Sequence, residues 1–231
     1  MKSICTLLLF LLSVFSIALA QTAPPARTDV YHVNFSKAAL GKAGALGDFL
    51  KTPNPNSPMP QHFLVLRHQD GAEWDYLTIA HLGTSATLTA AGNPPPAAFR
   101  DLSEWHGDTY VNGPSWADFS RAMGLGDQTA KTAGSVYVAS VYRAAPGHRA
   151  EVEKMLGPAG VNANTAGNVL MMHLEGAPWQ YLVIARYNSW SDFATDETSA
   201  VADMSKGKGP WFELRDHVAF HNDTITDRIA P

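Results

Sequence analysis

Residues 68 to 80 read HQDGAEWDYLTIA and residues 173 to 185 read HLEGAPWQYLVIA. They align without a gap: His, an acid two residues on, Gly-Ala, then Trp, Tyr, Leu, Ile and Ala. Each copy is preceded by an apolar, β-rich run, HFLVLRH or NVLMMHL, and runs on into another. Glycine readily takes the positive φ of a tight turn, so Asp-Gly-Ala and Glu-Gly-Ala predict a hairpin in each copy. A hairpin that recurs with its aromatic residues in place marks an internal duplication.

The likeness extends outward from the hairpins. RDLSEWHGDTY, from Arg100, and RDHVAFHNDTI, from Arg215, share Arg, Asp, His, Asp and Thr at the same five offsets. VYHVNFSKAALGK from Val30 and VYVASVYRAAPGH from Val136 are apolar runs that each pass into a Gly-containing stretch, and both read as first strands. GKAGALGDFLK and GHRAEVEKMLG follow with helical periodicity, Val152, Met155 and Leu156 falling on one face. A second helical region is clearest in SWSDFATDETSAVADM, where Ser189 is a candidate N-cap. With the RDxxxxHxDT block read as a fourth strand, each copy runs strand, helix, strand, strand, helix, strand.

The expected architecture is α+β: two fused ferredoxin-like βαββαβ units, residues 28–114 and 133–231, joined by a connection over 115–132 with a helix from Trp116 to Met123. A sheet of that kind carries helices on one face only. Two of them meeting face to face and edge to edge bury both bare faces and leave no open edge, an α/β barrel formed within one chain.

Residues 1–20, MKSICTLLLFLLSVFSIALA, pair one Lys with an apolar run and a closing Ala18-Leu19-Ala20, the pattern of a secretory signal peptide. Residues 21–27 then form an N-terminal tail, and the expected destination is the periplasm or the exterior. No stable membrane insertion is expected once the signal is cleaved. Cleavage removes Cys5, the only cysteine, so the fold rests on packing rather than disulfides. It also removes Lys2 from 17 basic residues, leaving 16 against 21 acidic ones. No basic run interrupts that balance, which argues against nucleic acid as a partner.

The topology and repeat pattern over most of residues 28–231 resemble the dimeric α/β-barrel superfamily, which includes antibiotic-biosynthesis-type monooxygenases, EthD-like proteins and NIPSNAP-like proteins. The strand, helix, hairpin, helix, strand rhythm is most similar to the NIPSNAP-like branch. Haem proteins of the dye-peroxidase type also use paired units, but their GxxDG signature is absent here. The resemblance implies a fold and a small-molecule ligand; fold membership alone does not set the reaction.

In such a barrel, strand two of one unit lies beside strand four of the other. His68 is therefore expected near His221, and His173 near His106. Alternation sets Asp108 on the face of His106 and Asp223 on the face of His221, about 7 Å along the strand. Two imidazoles and a carboxylate at each seam suit a divalent transition metal, with His68, His221, His173 and His106 as ligands. They equally suit acid–base catalysis by His68, His221, Asp223, His173, His106 and Asp108, or a structural role. Haem is the less favoured cofactor.

Trp74 and Trp179, with Tyr76 and Tyr181, are assigned to one face of the third strands, as core or as the wall of a substrate pocket that also includes His81. Val138 and Arg186 stand where the first copy has His32 and His81, so the copies are not chemically equal. Arg100 and Arg215 are expected to pair with acids, and Met171 and Met172 to lie in the core. His62, His148 and His217 have no counterparts and are assigned to exposed or local positions.

There is no Gly-rich phosphate loop, GxSxG, HExxH or CxxC. The leading expectation is an exported barrel that binds a small, fairly apolar molecule and acts on it by oxidation, isomerisation or lyase chemistry. That chemistry is cofactor-independent or metal-assisted. A non-enzymatic binder of metal, haem or another ligand is the rival, and a structural envelope protein the third reading. Monomer and homo-oligomer are both open.

Overall fold

The computed structural model describes residues 26–53, 55, 59–86, 97–125, 134–157 and 164–231. The expected signal peptide lies outside these residues. The first half contains β1 (Asp29–Ala38), α1 (Ala43–Lys51), β2 (Phe63–Asp70), β3 (Tyr76–Thr84), α2 (Ala97–Leu102) and β4 (Ser103–Gly113). After α3 (Trp116–Met123), the second contains β5 (Val136–Ala144), α4 (Arg149–Leu156), β6 (Thr165–Glu175), β7 (Tyr181–Tyr187), α5 (Trp190–Met204), α6 (Pro210–His217) and β8 (Val218–Ala230). The helices start where the chain supplies caps: Ser115 accepts from the amide of Asp118, and Ser189 from that of Asp192.

The eight strands close into one antiparallel α+β barrel in the order β1-β3-β2-β8-β5-β7-β6-β4, with β4 returning to β1. The joins between halves are β2 to β8 and β4 to β6, the seams that the sequence predicts. Because every neighbour is antiparallel, β2 and β6, four places apart in the ring, run the same way. Hairpins β2–β3 and β6–β7 therefore emerge at the same end.

Alternation sorts the side chains. Tyr31, Val33, Leu64, Leu66, Leu77, Ile79, Val111, Tyr137, Leu182 and Ile184 point inward and form the main core. The outer face packs against helices in two smaller clusters, around Leu46 and Tyr76 in the first half and around Val152 and Tyr181 in the second. Met171 is fully buried in the main core, while Met172 packs against the outer cluster of the second half. Helix α3 closes the barrel end opposite the hairpins: Phe119 and Met123 enter the core, and Tyr31 and Tyr137 donate to the carbonyls of Pro114 and Met123.

Two expectations about elements are corrected. The RDxxxxHxDT block is not all strand: its first residues close α2 or α6, and the strand begins at Ser103 or Val218. Nor do Trp74 and Trp179 share a face with Tyr76 and Tyr181. The Asp75 side chain accepts from the amide of Ala38, and Gln180 likewise from that of Ala144, which fixes the turn before β3 and β7 against β1 and β5. The indoles consequently fall inside the barrel and the phenols outside, where Tyr76 and Tyr181 donate to the carbonyls of Ala43 and Arg149.

Candidate functional site

The seams hold the expected strands but in a different register. His68 sits opposite Thr226 of β8, five residues from His221, and His173 opposite Val111 of β4, five residues from His106. At about 3.4 Å per residue that is some 17 Å along the strand. The faces differ as well: His68 and His173 point inward against Trp74 and Trp179, with ring centroids 5.8 and 5.7 Å apart. His221 and His106 point outward against Tyr142 and Phe99. The expected meetings of His68 with His221 and of His173 with His106 do not occur. Side chains alternate with a period of two, so a displacement of five residues, an odd number, also turns the partner set to the other face.

What gathers instead lies on the outer face of the first half, where β1 runs beside β4 with Asn34 opposite Asp108. His32 Nε2 lies 2.8 Å from Asp108 Oδ1, and His106 Nε2 lies 3.2 Å from Asp108 Oδ2. Asn34 donates a third bond, at 2.8 Å, to Oδ1. The carboxylate is thus bracketed by two imidazoles, and the three side chains are 32, 33 and 42% exposed for His32, His106 and Asp108. Hydrogen bonding from His32, outweighing partial burial and aided by Asn34, holds the Asp108 carboxyl below its ordinary 3.8, so it stays ionised near neutrality. Tyr110 lies against His32 and Phe99 against His106, which gives the polar cluster aromatic flanks.

Beside it, Asn34 Oδ1, Ser36 Oγ and Thr78 Oγ1 are buried without hydrogen-bond partners. Asn34 and Ser36 share one face of β1, and Thr78 of β3 sits opposite Asn34. Buried polar atoms normally find partners, so three left over next to an ionised carboxylate are a cost to the local packing.

The second half repeats only part of this. His221 Nε2 lies 2.8 Å from Asp223 Oδ2, and its ring stacks on Tyr142 at 4.7 Å. Burial pushes the Asp223 carboxyl up, but hydrogen bonds from His221 and Ser140 outweigh it and hold it below its ordinary value. Val138 and Ser140 replace His32 and Asn34, and Val183 replaces Thr78, so the second imidazole and much of the polar row are missing. Arg215 lies over Trp211, 5.1 Å from the ring centroid, and contributes to the field at Asp223. The side chain of Arg100 lies outside the described residues.

The remaining candidates fall elsewhere. The Nε2 atoms of His68 and His173 are buried without partners among the core aromatics, where Phe35 packs edge-on to both Trp74 and Trp179 at 5.3 and 6.3 Å. His81 is at the end closed by α3, hydrogen-bonded to Asp29. Tyr76 and Tyr181 tie down helices rather than line a cavity with the indoles. His62 is exposed and contacts His81, and the half-buried His148 contacts the half-buried His217.

Among the described residues, no three His, Cys, Asp or Glu side chains are grouped to hold a metal ion. At Asp108 the carboxylate occupies the space between the two imidazoles, the geometry of hydrogen bonding. Sequence reasoning noted His32 only as a difference between the copies and passed over Asn34 and Thr78. The signal was present: residues 32, 34 and 36 share a face, and the first strand neighbours the fourth in a βαββαβ sheet. A search for residues kept in both copies discards a histidine found in one.

No family model matches the chain, and no curated protein matches it. Solved structures do resemble it. One is an anthrone oxidase-like protein, 13% identical, with a TM-score of 0.56 over 87% of this chain and 92% of that one. Another is a candidate monooxygenase from Fusobacterium nucleatum subsp. nucleatum ATCC 25586, 10% identical, with a TM-score of 0.52 over 87% of this chain and 92% of that one. At these identities the likeness is one of fold, an α+β barrel of the kind found in monooxygenase-like proteins. Among the described residues no helix is long and apolar enough to cross a membrane.

Proposed function

We propose that the protein is an oxidase of small, fairly apolar molecules, with its reaction centre at the Asp108 cluster on the outer face of the first half. The observation that carries this reading is the bracketing of one ionised, half-exposed carboxylate by two imidazoles. A carboxylate that hydrogen-bonds an imidazole fixes its tautomer and stabilises the cation formed when the ring takes a proton. His32 or His106 is the base, Asp108 its support, and Asn34 holds the carboxylate in place.

The chemistry such a base supports without a cofactor is removal of a proton from an acidic C–H or O–H conjugated with an aromatic ring. The resulting anion passes electrons to dioxygen, and for an activated methylene the sum is the methylene plus O2 giving a carbonyl plus water. Tyr110, exposed beside His32, offers a flat substrate an aromatic face. The names borne by the fold's neighbours, an anthrone oxidase-like protein and a candidate monooxygenase, agree with that class.

This reading takes the chain as two ferredoxin-like units descended from one, related to the antibiotic-biosynthesis-monooxygenase, EthD-like and NIPSNAP-like group. It takes the molecule to work outside the cytoplasm after loss of residues 1–20. Its test is oxygen uptake by the mature protein with anthrone as probe, corrected for spontaneous oxidation. Enzyme-dependent uptake that falls about 100-fold in Asp108→Asn supports it. No uptake above the blank, or uptake that Asp108→Asn leaves unchanged, overturns it.

A further inference from the structure

A second chain of titratable groups lies at the barrel end closed by α3, away from Asp108. Asp29, at the start of β1, and His81, in β3, are both buried, at 6 and 7% exposure. Asp29 Oδ1 accepts from Thr28, while Oδ2 accepts from the Trp116 amide at 2.9 Å and lies 2.8 Å from His81 Nε2. A carboxylate can only accept, so His81 carries its proton on Nε2 and, when neutral, turns a lone pair outward from Nδ1. That atom is 3.1 Å from His62 Nδ1.

With ring centroids 5.4 Å apart, the two nitrogens face each other along the line between the rings, the geometry of one N–H donating into one lone pair. His62 therefore holds its proton on Nδ1, and its Nε2, on the far side of an exposed ring, is left as a lone pair. Stacking on Trp116, 4.5 Å between centroids and 3° from parallel, fixes the ring. Partial burial against the indole, then the neighbouring His81, hold His62 below its ordinary 6.5, so the ring is neutral at neutral pH.

We propose that Asp29, His81 and His62 form a surface nucleophile, with His62 Nε2 as the attacking atom and activated acyl esters as the substrate class. This is the logic by which an acid–base pair oriented by a third group activates a nucleophile, here with a second imidazole as the reacting group. His62 Nε2 bonds to the acyl carbon and the ester C–O bond breaks, releasing the alcohol portion as its anion. The Nδ1 proton moves to His81, leaving a neutral acyl-imidazole. His81 returns the proton to the ring, water hydrolyses the acyl group to the carboxylic acid, and the proton released by that step neutralises the alcohol's anion, so the sum is ester plus water giving acid plus alcohol. The second half has Arg186 in place of His81 and no such chain.

The probe is diethyl pyrocarbonate, an activated acyl compound, with carbethoxylation of each histidine followed by peptide mass mapping on the mature protein. His62 is expected to react about ten-fold faster than free N-acetylhistidine, and its rate to return to the free value in His81→Gln. Asp29 also anchors α3, so the tautomers of the unaltered protein provide a readout independent of any variant. Nitrogen-15 NMR should show His62 protonated on Nδ1 and His81 on Nε2. A His62 rate no higher than the free value, or a His62 proton on Nε2, overturns the proposal whatever the Asp108 site does.

Discussion

His32 donates to the same carboxylate, Asp108, that His106 approaches from the other side, and His32 has no counterpart in the second half. Val138 stands at the matching place in the second half and leaves Asp223 with one imidazole. Replacing His32 by Val copies that second-half arrangement into the first. His32→Val is expected to lower the turnover of oxygen uptake about 100-fold with a smaller change in KM, since a base acts on the chemical step and little on substrate binding. Steady-state oxygen consumption measures both.

The depressed carboxyls set the acid limb of stability. Asp108 and Asp223 titrate below their ordinary 3.8 in the folded chain. The stability they contribute is therefore present above that value and is lost as pH falls through the folded values. Urea midpoints taken from neutral pH down to about pH 3 should fall on acidification, and the fall should be shallower in Asp108→Asn. Both carboxylates are about half exposed, so the loss is a fraction of what buried pairs would give.

Gly167 lies where α3 crosses β6, and a Cβ added there collides with the backbone carbonyl of Ala122. That carbonyl also accepts from Arg186 Nε, at 2.9 Å, so it cannot turn aside without losing a bond. Gly167→Ala should destabilise the protein by about 1–3 kcal/mol, read as a lower midpoint in urea. Gly44, in α1, has open space around its Cβ position, and Gly44→Ala is expected to raise the midpoint slightly.

His68 and His173 each bury an Nε2 without a partner. Replacing a ring that carries an unpaired polar atom by one of similar size without it should cost nothing and return about 1 kcal/mol or more. His68→Phe and His173→Phe are expected to melt no lower than the parent. A marked fall in the melting temperature would mean that the nitrogens are satisfied in solution, by water or by a ligand.

The elements readable from the sequence are those decided by neighbours along the chain. The hairpin glycines Gly71 and Gly176 do take positive φ, α3 spans the predicted Trp116 to Met123, and Ser189 caps α5. The identity of the seams also followed, because only two strands of each half have a free edge. The rung at which those strands meet did not follow. A displacement of five residues moved His68 from His221 to Thr226, and nothing in the composition of either strand opposes it. The His32–Asp108 contact was within reach of simple alternation, whereas the meeting of His62 with His81 depends on where the chain before β2 is held.

The ring of eight strands has a consequence for assembly. A polypeptide cut in the connection between the halves would present two pieces, each with a pair of bare ladder edges and one uncovered apolar surface, and each the other's best available cover. The pieces should therefore find one another from separate solutions and rebuild the whole, provided that the cut falls after α3, whose Phe119 and Met123 belong to the shared core.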